Sequence, residues 1–214
     1  MNQSLRTLLT IFLFHLIVVP CICAEDGMPS IIDATGSNGR VEVSVDRPDT
    51  IGSSLIVIDK ATSLLAYFED GREVLRFPVA FGSRPGQKKK RGDRRTPEGD
   101  YRVVAKHRAS KYHKFLWINY PNRDDAIRGL EARLISGRDY EAIITALEND
   151  AIPPQQTRLG GYIGIHGGKA VRIYRKTLFL DDDYNWTLGC IAAKNEHIDR
   201  LYDIVEVGTR VRIK

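Results

Sequence analysis

Few side chains in this sequence are placed to act as nucleophiles. The stretch Trp186–Ile191, WTLGCI, holds Cys190 between a glycine and an isoleucine. The other two cysteines, Cys21 and Cys23, fall in an N-terminal segment with the order of an export signal, so its cleavage leaves Cys190 alone. An odd cysteine in an exported chain is an intermolecular partner, a reactive thiol, or an inert small apolar side chain. A thiol becomes a nucleophile when an imidazolium or a helix N-terminus lowers its pKa. Of five histidines, His15 lies in the signal and His107 and His113 lie in a Lys/Arg-rich stretch. His197 is expected in the first turn of a C-terminal helix, facing solvent. His166, in IGIHGG, ends an apolar strand, and the two glycines after it let another chain segment come close.

The neighbours of Cys190 have two readings each. Gly189 permits a backbone geometry other residues resist, and an N–H there can point at an oxyanion; an ordinary turn serves equally. Thr187 either binds substrate or braces the loop. Trp186 and Tyr162 either line a substrate groove or pack.

The elements that must position these residues are mostly strands. SLIVIDK from Ser54 is β-branched and apolar, and LLAYFEDGREVLRFPVAFG reads as two strands joined at Asp70-Gly71, a hairpin signal. GDYRVVAKH and Phe115–Asn119 are further strands, and GGYIGIHGG is a buried one. Apolar residues at Ile127, Leu130, Leu134, then Tyr140, Ile143, Ile144 and Leu147 have helical spacing, broken at Ser136-Gly137. This predicts two short helices within 124–149, ended by Pro153-Pro154. Asn195 is expected to cap a last helix over Glu196–Val205, and GTRVRIK to form a closing strand. Val41–Val45 is a weak strand candidate, and VRIYRKTLFL a strand or loop. Many strands and few helices predict a mainly β domain with helical insertions, not a repeated βαβ unit.

The 214 residues suffice for one domain with a sizeable core. A net charge of +5 suits an anionic surface but is too small to indicate nucleic acid. Arg6, an apolar run from Leu8 to Val19, and small residues at Cys21, Cys23 and Ala24 predict a signal peptide over 1–24. The run is short for a membrane span. Residues 25–52, rich in Gly, Ser, Asp and Pro, read as a flexible leader before a domain at 53–214.

GGYIGIHGG followed by NWTLGCIAAKN resembles the catalytic signature of the L,D-transpeptidase (YkuD-type) family, in the branch whose cysteine motif reads Trp-Thr-x-Gly-Cys-Ile-Ala. RRTPEGDYRV, INYPNRDDA and GTRVRIK resemble further segments of that family in the same order. The resemblance implies an L,D-transpeptidase-like β-sandwich and a periplasmic enzyme acting on peptidoglycan stem peptides. It implies Cys190 as nucleophile and His166 as proton carrier, oriented by the Gly167 carbonyl. Gly189 then supplies an oxyanion N–H, and Thr187, Trp186 and Tyr162 meet substrate. No metal or cofactor is implied, and a monomer without nucleic-acid partners is expected. Many members carry a histidine and an arginine where this chain has Leu188 and Ala192, and Asn185 stands where the branch often has aspartate. The same site also fits an L,D-carboxypeptidase or amidase, and its departures fit an inactive wall-binding module.

Two charge runs remain. KKKRGDRR (Lys88–Arg95) reads as a solvated loop or, second, as a patch for an anionic cell-wall polymer. Asp181–Asp183 fits no calcium loop and reads as solvated. The helical insert is either a lid or a buttress.

Overall fold

The computed structural model describes residues 53–168 and 185–214. The Val41–Val45, VRIYRKTLFL and Asp181–Asp183 expectations lie outside the described residues. Within them the chain runs β1 (Ser54–Asp59), β2 (Leu64–Glu69), β3 (Arg72–Pro78), β4 (Gly99–Ser110), β5 (His113–Ile118), α1 (Arg123–Glu131), α2 (Gly137–Glu148), β6 (Gly164–His166), β7 (Ile191–Ala192), α3 (Asn195–Ile204) and β8 (Arg210–Ile213). The strands form one sheet in the order β3-β2-β1-β8-β4-β5-β6-β7.

Local sequence explains most elements. Asp70 and Gly71 both have positive φ, 49° and 75°, as a two-residue turn between β2 and β3 requires. In β8, Val211 and Ile213 enter the core while Arg210 and Arg212 point outward, the period-two alternation of a strand. β8 lies parallel to β1 and antiparallel to β4. The long β4 pairs with β8 through Gly99–Arg102 and with β5 from Val103, with register shifts along the second part. It therefore carries the sheet from one half to the other. One apolar cluster, with members such as Ile58, Tyr67, Val103, Ile165, Ile191 and Leu201, joins all eight strands and α3.

The two insert helices each begin with a reciprocal capping box, Asn122 with Asp125 and Ser136 with Asp139. Ala126, Ile135, Ile143 and Leu159 form their own small core. The insert is fastened to the sheet where the Tyr101 hydroxyl donates to Asp125 Oδ2 at 2.9 Å. It is a buttress under the segment containing Leu159.

The last helix departs from expectation in two respects. Lys194, not Asn195, is its N-cap, with no side-chain bond. Asn195 is drawn away because its Oδ1 accepts the Gly168 N–H at 2.9 Å. His197 is only partly exposed and stacks on Phe77, ring centroids 4.9 Å apart. No helix among the described residues is long and apolar enough to cross a membrane.

Candidate active site

β6 and β7 bring the two chemical residues together. They pair in parallel, Ile165 with Ile191 and His166 with Ala192. Cys190 immediately precedes β7, so it stands two residues, about 7 Å of strand, from the level of His166. The first glycine after His166 is required by packing. A Cβ on Gly167 would sit 2.5 Å from Asn195 Oδ1 and 3.0 Å from Ile198 Cγ2.

The His166 ring is buried, with 2% of its surface exposed. Tyr112 stacks on it at 4.6 Å, Phe115 lies parallel at 6.0 Å, and Trp186 meets it edge-on at 6.1 Å. Its Nδ1 contacts the Gly167 carbonyl oxygen at 2.5 Å. A carbonyl only accepts, so Nδ1 carries the proton and Nε2 keeps its lone pair. Burial pulls the imidazole pKa below its ordinary value, the Gly167 carbonyl opposes that, and Lys111 adds to it.

The Cys190 thiol donates to the Tyr162 carbonyl oxygen at 3.4 Å. The residue keeps some exposed surface, yet enough protein surrounds the sulfur for burial to push the thiol up to about 11. The Gly164 N–H and the charges of Lys88 and Lys111 pull the other way and do not prevail. Among the described residues no hydrogen bond joins the sulfur to the His166 ring. The resting pair is therefore neutral thiol and neutral imidazole, not the ion pair that sequence reasoning expected of a reactive cysteine. Low local polarity opposes both charges at once.

The loop before Cys190 is internally braced. Thr187, 3% exposed, donates from Oγ1 to the Cys190 carbonyl at 2.7 Å and accepts the Gly189 N–H at 3.1 Å. Gly189 was expected to offer its N–H to an oxyanion. That N–H is instead occupied by Thr187, and of the two readings of Thr187 the structure shows the brace. Gly189 is still required as glycine, because its φ is +142° and a Cβ would approach the Arg95 carbonyl oxygen to 2.9 Å.

The described geometry, a half-buried thiol one strand from an oriented imidazole, gains a name from comparison. Residues 53–213 match the family model of the L,D-transpeptidase (YkuD) catalytic domain. The chain belongs to this family. Two structures of the helical cell shape determining protein Pgp2 from Campylobacter jejuni, one of them the K307A mutant, share the fold. Each has a TM-score of 0.50 at 22% identity. The mutant alignment covers 77% of this chain and the other 76%, each spanning 47% of that protein, so this chain matches about half of its length. Bd1075 from Bdellovibrio bacteriovorus aligns over 78% of this chain and 49% of its own, at 19% identity and a TM-score of 0.45. No curated protein matches the chain.

Within the L,D-transpeptidase family the departures now have places. Leu188 is 73% exposed, so a histidine there would stand in solvent at the mouth of the loop. Ala192 is fully buried and exchanges both backbone hydrogen bonds with Ala80 at 2.8 Å. Asn185 accepts the Phe81 N–H through Oδ1 at 2.8 Å, a task an aspartate oxygen performs as well. Trp186 is exposed and covers the His166 edge, and Tyr162 is exposed and stacks on Trp117 at 5.5 Å.

Sequence reasoning missed three residues around this site. Tyr112 covers the imidazole from a strand turn that nothing in the local sequence marks. Gln155 holds Tyr162. Asp93 turns the basic run Lys88–Arg95 into an ordered loop. Its carboxylate accepts from Lys88 Nζ at 2.9 Å and from the N–H groups of Lys89, Lys90 and Arg95. The Lys88–Asp93 pair is nearly buried, so the run is not a simple solvated loop. A cavity of about 600 Å³ lined in part by Arg102, Asn119, Arg123 and Leu147 includes neither Cys190 nor His166. No group of residues suited to hold a metal occurs among the described residues.

Proposed function

We propose that this protein is a cysteine L,D-transpeptidase that takes an acyl group from a peptidoglycan stem peptide and passes it to an amine. The observation that carries this reading is the placement of a thiol, the one free cysteine among the described residues, one strand from a buried histidine whose proton is held on Nδ1, leaving Nε2 as base. In the proposed first step the thiol turns from Tyr162 toward Nε2, which takes its proton as sulfur attacks the carbonyl carbon. The S–C bond forms, the C–N bond to the terminal D-amino acid breaks, and His166 returns the proton to the departing amine. An acceptor amine then attacks the thioester, gives its proton to Nε2, and the thiol is regenerated. The Cys190 N–H replaces Gly189 as the proposed oxyanion donor; one such donor is worth about 3 kcal/mol. Neutral resting groups place the proton transfer within the attack rather than before it. Trp186 and Tyr162, exposed on either side, are proposed to meet the peptide.

Residues 1–24 direct export in this reading, and the site of action is the periplasm. The exposed cations of the ordered Lys88–Arg95 loop suit an anionic cell-wall polymer. Cell shape is a fitting physiological readout, since the related C. jejuni protein is described as helical cell shape determining.

A thiol pushed up to about 11 and the buried Ala192 favour a second reading, a wall-binding module without turnover. Incubation with disaccharide-tetrapeptide, read by mass, tests both. Cross-linked dimer supports transfer and free tripeptide supports hydrolysis at the same site. Unchanged substrate, with protein that still sediments with isolated wall, leaves the binding module.

A further inference from the structure

The Cys190 thiol is held by a backbone carbonyl that belongs to an unusual residue. Tyr162 has φ +57°, in the left-handed region that a side chain disfavours by about 1–2 kcal/mol. A residue stays there only where its surroundings over-determine it. Here the surroundings converge on one side chain. Gln155 Oε1 accepts the Tyr162 N–H at 2.5 Å. Its Nε2 donates to the carbonyls of Tyr120 and Pro153, at 2.9 and 2.6 Å. The amide is buried and satisfies three backbone groups from three segments of the fold. Room for it depends on Gly161, whose added Cβ would lie 2.6 Å from Gln155 Oε1 and 2.7 Å from its backbone.

Secondary contacts keep the same shape. The Gln156 amide donates to the Tyr162 hydroxyl at 3.1 Å, and Trp117 stacks under the ring. The Tyr120 hydroxyl donates to the Leu159 carbonyl at 3.1 Å, tying the segment to the helical insert.

We infer that Gln155 is a positioning residue for the reaction: by fixing the Tyr162 peptide it aims a carbonyl oxygen at the Cys190 sulfur and keeps that sulfur protonated until substrate displaces the contact. The inference rests on the proposed role of Cys190 as nucleophile. A carbonyl can accept from S–H but repels a thiolate, so the contact favours the protonated form. Burial of the sulfur also favours the protonated form, while the Gly164 N–H and the charges of Lys88 and Lys111 favour the thiolate. The Tyr162 carbonyl is the acceptor that holds the S–H proton, and Gln155 decides where that carbonyl points.

The test compares the full chain with Gln155→Ala and with Gln155→Met, which fills the space but neither donates nor accepts strongly. Two quantities are read: the pH profile of Cys190 alkylation by iodoacetamide, and turnover of disaccharide-tetrapeptide. Loss of the aimed carbonyl is expected to shift the alkylation profile about one unit toward lower pH. That is about tenfold faster alkylation near neutrality, with kcat reduced and KM little changed. Both variants are first checked for a cooperative melt, and the Met variant serves if the Ala variant does not fold. Melting temperatures that fall while the alkylation profile stays put in the folded variant overturn the inference and leave Gln155 a packing residue. Wild-type protein that turns over no peptide, while the profile still shifts, leaves the thiol contact standing and overturns the reading of Cys190 as nucleophile.

Discussion

The Tyr112 ring lies face to face with the His166 imidazole, centroids 4.6 Å apart and planes inclined by 23°. This contact shields the imidazole from water on one side, and it is one source of the burial that lowers its pKa. Tyr112→Ala is expected to move that pKa back up toward the ordinary histidine value, read from the ring-proton shifts of His166 by NMR titration. A stacked pair is worth about 0.5–1.5 kcal/mol, so a loss of up to about tenfold in kcat is expected. Tyr112→Phe keeps the stack and is expected to change neither quantity. Equal titration curves for all three proteins would remove Tyr112 from the site.

Cys190→Ala is expected to abolish acyl transfer, a loss of roughly a thousandfold or more, without loss of the cooperative melt. His166→Gln is expected to cost about a hundred- to ten-thousandfold. A large fall in melting temperature for Cys190→Ala would assign the sulfur to packing instead.

The thiol pKa lies above its ordinary value, so the thiolate is the minor form at neutral pH and grows as pH rises. Alkylation of the wild-type protein is therefore expected to speed up by about tenfold per unit from neutrality upward, levelling near pH 11. A plateau already reached near neutral pH would mean a preformed ion pair.

Thr187→Val keeps the shape of the side chain and removes its hydroxyl. The Gly189 N–H and the Cys190 carbonyl both lose a partner in a buried loop, which costs about 1–3 kcal/mol. Urea unfolding measures this, and an unchanged midpoint would mean that the loop finds other partners.

Asp93→Ala leaves Lys88 buried without its partner. Breaking a buried pair costs about 3–5 kcal/mol, so the melting temperature is expected to drop sharply. Burial alone would raise the Asp93 carboxyl, but the N–H groups of Lys89 and Lys90, the Lys88 ammonium and the Arg95 N–H together hold it below its ordinary value. Its stabilising contribution is therefore present above the unfolded pKa and disappears as pH falls through the lower folded one. Wild-type stability should decline in acid more steeply than that of the variant; parallel curves would refute this.

What was legible in the sequence was whatever depends on near neighbours. Asp70-Gly71 announced its hairpin because two consecutive positive φ values need such residues. The insert helices were visible in their apolar spacing, although the capping boxes at Asn122 and Ser136 went unread. His166 and Cys190 stood out through glycines that packing does require, at Gly167 and Gly189. What was hidden depends on distant approach. Asn195 looked like a helix cap, and only the fold shows Gly168 competing for its oxygen. Gly189 looked like an oxyanion donor, and only the fold shows Thr187 already holding its N–H. Tyr112 and Gln155 reach the site from segments 54 and 35 positions away from His166 and Cys190, and no local pattern marks them.

β8 fills the middle of the sheet, between β1 and β4, although it is made after every other strand. Until those four residues leave the ribosome, the edges of β1 and β4 that they will join stay open. The two halves of the sheet can therefore join only after β8 is made. Shortening the protein ahead of Arg210 would not trim a margin; it would take out the keystone.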